Sequence, residues 1–186
     1  MLISPQEILS FWFKEAGPSK WYNGGASFDA EIRHRYELFC VNLAADLRTK
    51  FAHDWLSNPE SMLALIIALD QFPRNMFRET KAAFAFDDLA LSATKRAIVA
   101  GFDLKTPQDR RAFIYMPLMH SENIADQNQC VELMDSRIES ESSLFHAVQH
   151  KKIIEKFGRF PHRNAILGRE STPDELEYLQ SGAYSP

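Results

Sequence analysis

An acidic and a basic residue interrupt the apolar pattern in the segment Leu-Asp-Gln-Phe-Pro-Arg-Asn, residues 69–75. Asp70 follows Ile66 and Ile67 by four and three residues, so its carboxylate falls on their apolar helix face. Burying a carboxylate there is costly unless a cation pairs with it, and Arg74 is the obvious partner. Asp70, Arg74 and Asn75 therefore either stabilise a helix end or bind a ligand, because perturbed charged groups collect at functional sites.

A second candidate lies in the segment Pro117-Leu-Met-His-Ser-Glu122. Pro117 disfavours a continuing helix, which places His120 in a turn, and Ser121 is a candidate cap for the next helix. Imidazole titrates near neutral pH, and a neighbouring carboxylate such as Glu122 can orient it or raise its pKa. His120 and Glu122 are thus candidates for acid–base chemistry. In the alternative interpretation, His120 binds a backbone carbonyl and Glu122 complements a helix dipole.

A third candidate is His150, which shares a helical face with Ile154 and Phe157 and is therefore predicted to point inward. His146 lies one turn earlier, and two histidines at this spacing can chelate a metal if a third ligand converges. Carboxylate partners are not in register with this pair. We therefore predict a packed histidine with no metal and no cofactor, and we keep His150 as a second candidate acid or base.

The segment that follows Gly158 concentrates positive charge in an otherwise acidic chain. The side chains concerned are Arg159, His162, Arg163, Asn164 and Arg169. Guanidinium groups suit bidentate recognition of a carboxylate or phosphate. These residues either bind an anionic ligand or form a buried network with carboxylates such as Asp70, Glu122 and Asp126.

We predict that these three segments meet in space. Each polar group would be expensive to bury alone, whereas opposite charges packed together offset that cost. Part of the resulting cluster is expected to open into a pocket that accepts an anion. Trp21 and Tyr22 are predicted to be either a packing plug or one wall of a pocket.

The elements that position these residues are all predicted to be helices, because apolar residues recur at helical spacing and no segment alternates like a strand. Ser-Pro, Asn-Pro and Thr-Pro pairs mark helix starts, and Gly101 and Gly158 mark helix ends. The predicted helices span residues 5–13, 27–47, 59–72, 87–100, 106–117, 121–138 and 143–157, with a short last helix from residue 172. Short connections favour antiparallel pairs in one all-α domain, residues 1–186.

Composition excludes several functional classes. The 186 residues are 45% hydrophobic and 25% charged, with a formal net charge of −4 and no basic run, so nucleic-acid binding is not expected. The longest apolar run, residues 62–69, is too short to cross a membrane. The start of the chain lacks the features of a secretory signal. The two cysteines form no CxxC pair. A cytoplasmic protein without structural zinc or disulfides is expected.

Longer strings around these residues resemble the bacterial family called domain of unknown function 924. They are Asp70-Gln-Phe-Pro-Arg-Asn-x-Phe-Arg78, Pro117-Leu-Met-His-Ser-Glu122, Gly158-Arg-Phe-Pro-His-Arg-Asn164 and Leu167-Gly-Arg169. The similarity is nearly full-length, from about residue 11 to residue 173. It implies an all-helical fold similar to right-handed tetratricopeptide-like superhelices, and it implies no established activity.

Two functional hypotheses follow from these residues. The first is a binding module whose concave helical face holds a small anionic molecule or a peptide. The second is an enzyme in which His120 or His150 acts as general acid or base on an anionic substrate. The sequence does not specify a protein partner.

Overall fold

The fold is described from a computed structural model that covers residues 3–21, 24–50 and 52–184. Every regular element in these ranges is helical, which confirms the all-α prediction. The α-helices are α1 (Pro5–Ser10), α2 (Pro18–Trp21), α3 (Gly25–Thr49), α4 (Pro59–Ile66), α5 (Phe72–Met76), α6 (Asp87–Val99), α7 (Phe102–Lys105), α8 (Gln108–His120), α9 (Ile124–Arg137), α10 (Glu141–Phe157), α11 (Asn164–Leu167) and α12 (Pro173–Gln180). Wider π-helical turns follow α1 and α4, at Phe11–Ala16 and Ile67–Gln71, and 3₁₀ turns lie at Asp54–Leu56, Lys81–Phe84 and Pro161–Arg163.

Most predicted helix ends match the structure, because capping side chains or left-handed glycines terminate the helices there. Thr172 and Glu175 form a reciprocal capping box at the start of α12. Gly101 and Gly158 follow α6 and α10 with φ of 64° and 70°, the left-handed conformation that glycine adopts without strain. The predicted cap at Ser121 is wrong, because the Asn123 side chain accepts the free backbone N–H at the start of α9.

The predicted helix end at Phe72 and the predicted turn at His120 are also wrong. Phe72 keeps right-handed helical geometry, with φ −62° and ψ −44°, and the chain continues into α5. The π-helical turn explains this, because Phe72 N bonds to Ile67 O and the hydrogen-bond ladder changes register just before Pro73. The next helix, α8, contains Pro117 in its interior and continues to His120. Both candidate residues, Asp70 and His120, therefore lie on helical backbone.

The apolar run at residues 62–69 forms the centre of the core. Its side chains are at most 2% exposed, because α4 packs against α1, α6 and α8. Phe72 continues this core and stacks on Tyr36 with 4.8 Å between ring centroids. Asp70 is thus held on a rigid, buried segment. Among the described residues, no helix combines the length and apolar character that a bilayer span requires.

Candidate ligand-binding cavity

A cavity of about 650 Å³ lies between the α4–α5 junction, α8, α9, α10 and the C-terminal segment. Its apolar wall consists of Trp21 and three methionines, Met116, Met119 and Met134. Trp21 was predicted as a plug or pocket wall, and it lines the cavity, whereas Tyr22 lies outside the described residues. Cavities of this volume suit small organic molecules.

A histidine–carboxylate pair forms part of the polar wall. His120 Nδ1 lies 2.7 Å from Asp70 Oδ1. Asp70 is almost fully buried and also accepts a hydrogen bond from Gln71 Nε2 at 2.6 Å. Arg74 Nη1 lies 3.2 Å from Asp70 Oδ1, the oxygen that contacts His120, and donates to the Asp70 backbone carbonyl at 2.7 Å. The predicted partner of Asp70 is therefore present, and Asp70 additionally orients an imidazole.

The charge state of this pair follows from its surroundings. Burial disfavours the carboxylate of Asp70, but the charge of Arg74 and the contact with His120 outweigh it and lower the pKa of Asp70. Burial and the charge of Arg74 lower the pKa of His120 against the opposing effect of Asp70. At neutral pH, an ionised Asp70 accepts a hydrogen bond from Nδ1–H of a neutral His120.

Two further imidazoles lie beside His120. The rings of His120 and His150 have centroids 6.3 Å apart, and His150 is buried as predicted. Its Nδ1 lies 2.8 Å from the His146 backbone oxygen, and burial lowers its pKa to about 3. Tyr184 Oη reaches His146 Nδ1 at 2.8 Å and lies 3.3 Å from His150 Nδ1. The C-terminal segment thereby closes one side of the cavity.

The cationic wall consists of Arg74 and Arg78. Arg74 makes a bidentate contact with Asp87 at 2.9 and 3.0 Å, and Arg78 makes one with Asp29 at 2.9 and 3.0 Å. Arg78 Nη2 also donates to Asn75 Oδ1 at 3.2 Å. Neither Asp29 nor Asp87 lines the cavity, so the carboxylates fix the guanidinium groups from behind.

A second cavity of about 240 Å³ lies on the other side of His120. Arg163 lines it and donates to the His120 backbone oxygen at 3.0 Å. The Arg163 guanidinium packs between the rings of Phe84 and Phe160, 4.8 and 4.4 Å from their centroids. Its closest carboxylate, Asp87, is 4.0 Å away. Burial and the charge of Arg74 lower the pKa of Arg163 to about 10.

The remaining predicted ligand-binding residues lie in neither cavity lining. Arg159 donates twice to the buried Glu175, at 2.6 and 2.8 Å, and Asn164 Nδ2 donates to the same carboxylate at 3.2 Å. His162 packs against Phe160. Burial and the charge of Arg163 lower the pKa of His162 to about 4. These side chains hold the segment between α10 and α12.

Glu122, predicted as a catalytic carboxylate, also takes part in positioning this segment. It lines the smaller cavity, pairs with Arg169 at 2.7 and 3.0 Å, and accepts the Phe160 backbone N–H at 2.8 Å. Burial would raise the pKa of Glu122, but the hydrogen bond from Arg169 outweighs it and lowers that pKa. Glu122 contacts the post-α10 segment and makes no hydrogen bond to His120 among the described residues.

The structure therefore brings the three predicted segments together but divides their residues among different environments. The larger cavity gathers Arg74, Asn75, His120 and His150, with Asp70 directly behind them. Arg78, the methionines and Tyr184 were not predicted as site residues, since they come from separate elements. Of these residues, only Arg78 could have been found from the sequence, as the last residue of the family-like string at residues 70–78. Among the described residues, no group of three histidine, cysteine, aspartate or glutamate side chains is arranged to hold a metal ion.

Acid is expected to destabilise the fold through its buried histidines. The folded-state pKa of His150 is about 3 and that of His162 about 4, both below the ordinary value of 6.5. The unfolded chain therefore binds more protons, and stability present above pH 6.5 is lost as the pH falls towards 3. Since one pKa unit corresponds to about 1.4 kcal/mol, we expect a clear fall in Tm between pH 7 and 4. Thermal unfolding monitored by circular dichroism measures it.

A histidine substitution separates this effect from general acid sensitivity. His150→Gln should flatten the dependence of Tm on pH. His34→Gln, at an exposed position on α3, is the control for the effect of a histidine-to-glutamine exchange on Tm. An unchanged slope in His150→Gln would exclude the buried imidazole as a source of the effect.

Comparisons with known proteins agree with this fold. A sequence profile described as a bacterial protein of unknown function, DUF924, matches residues 8–183. A solved structure of a protein of unknown function from Agrobacterium tumefaciens is similar, with a TM-score of 0.88 and 42% sequence identity. The alignment covers 96% of this chain and 97% of that chain. A search of curated proteins found no match.

Proposed function

The chain belongs to the DUF924 family of bacterial proteins of unknown function, and we propose from the geometry of its cavity that it binds a small organic anion with an apolar body. The volume of about 650 Å³ fits a small molecule. A whole peptide segment, the other predicted ligand, would need a more extended surface. The apolar part of the ligand lies against Trp21 and the three methionines, whose flexible thioethers adapt to different shapes.

The observation that carries this proposal is the charge of the cavity lining. Among the described residues that line it, Arg74 and Arg78 are the ones with a formal charge, and none is an aspartate or glutamate. Arg74 uses both terminal nitrogens on Asp87. Arg78 uses Nε and Nη2 on Asp29 and is half exposed. Its Nη1 makes no hydrogen bond to a described residue and is available to a ligand. We therefore assign anion recognition to Arg78, with Asn75 and Asp29 orienting it.

Replacing Arg78 with glutamine tests this assignment. A panel of alkyl and aryl carboxylates and their matching alcohols is titrated by calorimetry. The wild-type protein should bind carboxylates in preference to alcohols. Since a hydrogen bond to a charged group contributes about 1.5–3 kcal/mol, Arg78→Gln should weaken carboxylate binding at least about tenfold.

The control for this experiment is Arg96→Gln, which removes an exposed arginine on α6 that does not line the cavity. This variant should keep wild-type affinity. Equal binding of acids and alcohols, or no binding of any carboxylate in the panel, would contradict the proposal.

A second candidate function, acid–base catalysis, is favoured by the 2.7 Å contact between His120 and Asp70. A carboxylate that holds Nδ1–H orients the imidazole and leaves Nε2 as the base. His120 suits this role better than His150, whose pKa of about 3 makes it a weak base. Turnover of a bound acid that survives His120→Gln would exclude this role.

The finer architecture and location also stay proposals. We propose a tetratricopeptide-like arrangement of antiparallel helix pairs. Contacts of α8 with α9 and of α9 with α10, across three-residue connections, support it. A cytoplasmic location and the absence of nucleic-acid partners remain predictions from composition.

A further inference from the structure

The hydrogen bonds of the cavity histidines determine which ring nitrogens are free for a ligand. A backbone carbonyl only accepts hydrogen bonds, so the 2.8 Å contact with His146 O requires the hydrogen on Nδ1 of His150. An ionised carboxylate likewise only accepts, so His120 carries its hydrogen on Nδ1 towards Asp70. Both imidazoles are neutral at pH 7, and each therefore keeps a lone pair on Nε2.

These two lone pairs have no partner in the part of the protein that the structure describes. No hydrogen bond among the described residues uses Nε2 of His120 or His150. His120 and His150 both line the cavity. A bound ligand that covers an acceptor without donating to it removes the water from that acceptor and costs free energy. A ligand that donates a hydrogen bond here would avoid that cost.

The third imidazole, that of His146, is assigned the opposite tautomer. The Tyr184 hydroxyl cannot donate to the protonated Nδ1 of His150, and we assign it as the donor to Nδ1 of His146, which lies 2.8 Å away. His146 therefore carries its hydrogen on Nε2 and cannot accept from a ligand at that atom. This difference between neighbouring histidines provides a matched control.

The donor is expected to be uncharged. An ammonium group would meet the positive charges of Arg74 and Arg78 and, among the described lining residues, no carboxylate to pair with it. A hydroxyl group donates one hydrogen bond without carrying charge. His120 and Arg74 both contact Asp70 Oδ1, at 2.7 and 3.2 Å, so the His120 ring lies close to the cationic wall.

We propose that the ligand of this cavity is a hydroxycarboxylic acid with an apolar body, whose hydroxyl donates to Nε2 of His120 or His150. This inference rests on the proposed anion-binding function and narrows its ligand class. The carboxylate is held by Arg78 and the apolar body by the methionine wall. Hydroxyl recognition distinguishes the ligand from a simple fatty or aryl acid.

The test measures affinities of matched ligands for the full chain by calorimetry. The probes are octanoate, 2-hydroxyoctanoate, 3-hydroxyoctanoate, 2-aminooctanoate and 1-octanol. At least one hydroxy acid should bind about tenfold more tightly than octanoate, and octanol should bind most weakly. Equal affinities for octanoate and both hydroxy acids would overturn this inference while leaving the anion-binding function intact. Binding of octanol as tightly as octanoate, or no binding by any acid, would overturn both. Tighter binding of the amino acid than of either hydroxy acid would overturn the choice of an uncharged donor.

Histidine variants then locate the acceptor. His120→Phe and His150→Phe each remove one lone pair, and at least one of them should abolish the preference for the hydroxy acid, measured as the ratio of hydroxy-acid to octanoate affinity in the same variant. His146→Phe should retain the preference. Retention of the preference in both His120→Phe and His150→Phe, or its loss only in His146→Phe, would contradict the assignment. The ligand comparison in the wild-type protein needs no variant and stands even if one of them fails to fold.

Discussion

Replacement of Asp70 with alanine is expected to lower the free energy of unfolding by about 3–5 kcal/mol, the cost of removing one partner from a buried ion pair. Asp70 is 1% exposed and accepts hydrogen bonds from His120 and Gln71 while pairing with Arg74. Its loss leaves the Nδ1–H of His120 and the amide of Gln71 without their acceptor. Arg74 keeps Asp87, which limits the damage. Urea unfolding followed by circular dichroism measures the change.

The control for Asp70→Ala is Asp88→Ala, which removes an aspartate on α6. The Asp88 side chain is 67% exposed and lies 3.3 Å from the exposed Arg48. Pairs of this kind contribute about 0–1 kcal/mol, so this variant should unfold close to the wild type. Equal losses in the two variants would contradict the buried network at Asp70. A stable Asp70→Asn variant with weakened hydroxy-acid preference would separate orientation of His120 from stability.

Local sequence patterns predicted the parts of the fold that depend on neighbouring residues. The capping box at Thr172 and the glycine after α10 are local hydrogen-bond and backbone effects. The pairing of Asp70 with Arg74 also follows from a four-residue spacing within one helical segment. The prediction failed at Pro73, where a π-helical turn changes the hydrogen-bond register. Such a turn depends on tertiary packing and has no simple sequence signature.

The cavity could be predicted only in part because its wall comes from residues far apart in the chain. The predicted partner of Arg163 was either an anionic ligand or a carboxylate of a buried network, and in the structure Arg163 donates to the backbone oxygen of His120 and packs between two phenylalanines. If Arg163 is removed, Asp87 keeps its main partner, Arg74. Charge alone would instead predict an unpaired carboxylate. Met116 and Met134 resemble ordinary core residues in sequence, and only the packing of α8 and α9 shows that they face a cavity.

A second large loss of stability, about 3 kcal/mol, is expected for Glu175→Ala. Glu175 is 2% exposed. It accepts two hydrogen bonds from Arg159, one from Asn164 and one from the Thr172 backbone N–H. The carboxylate thereby joins α12 to the segment that follows α10. Urea unfolding measures the loss, and Glu177→Ala is the control, because Glu177 is exposed on the same helix.

Glu175→Ala should also change the cavity, because α12 is followed by the segment that contains Tyr184. Tyr178 on α12 donates to the Tyr184 backbone oxygen, and the Tyr184 hydroxyl donates to His146. If α12 loosens, this hydroxyl moves away from Nδ1 of His146. The imidazole NMR resonances of His146 at one fixed pH should therefore shift in Glu175→Ala and in Tyr184→Phe, and stay unchanged in Glu177→Ala. His146 resonances that shift in Tyr184→Phe but not in Glu175→Ala would show that α12 stays docked without this carboxylate.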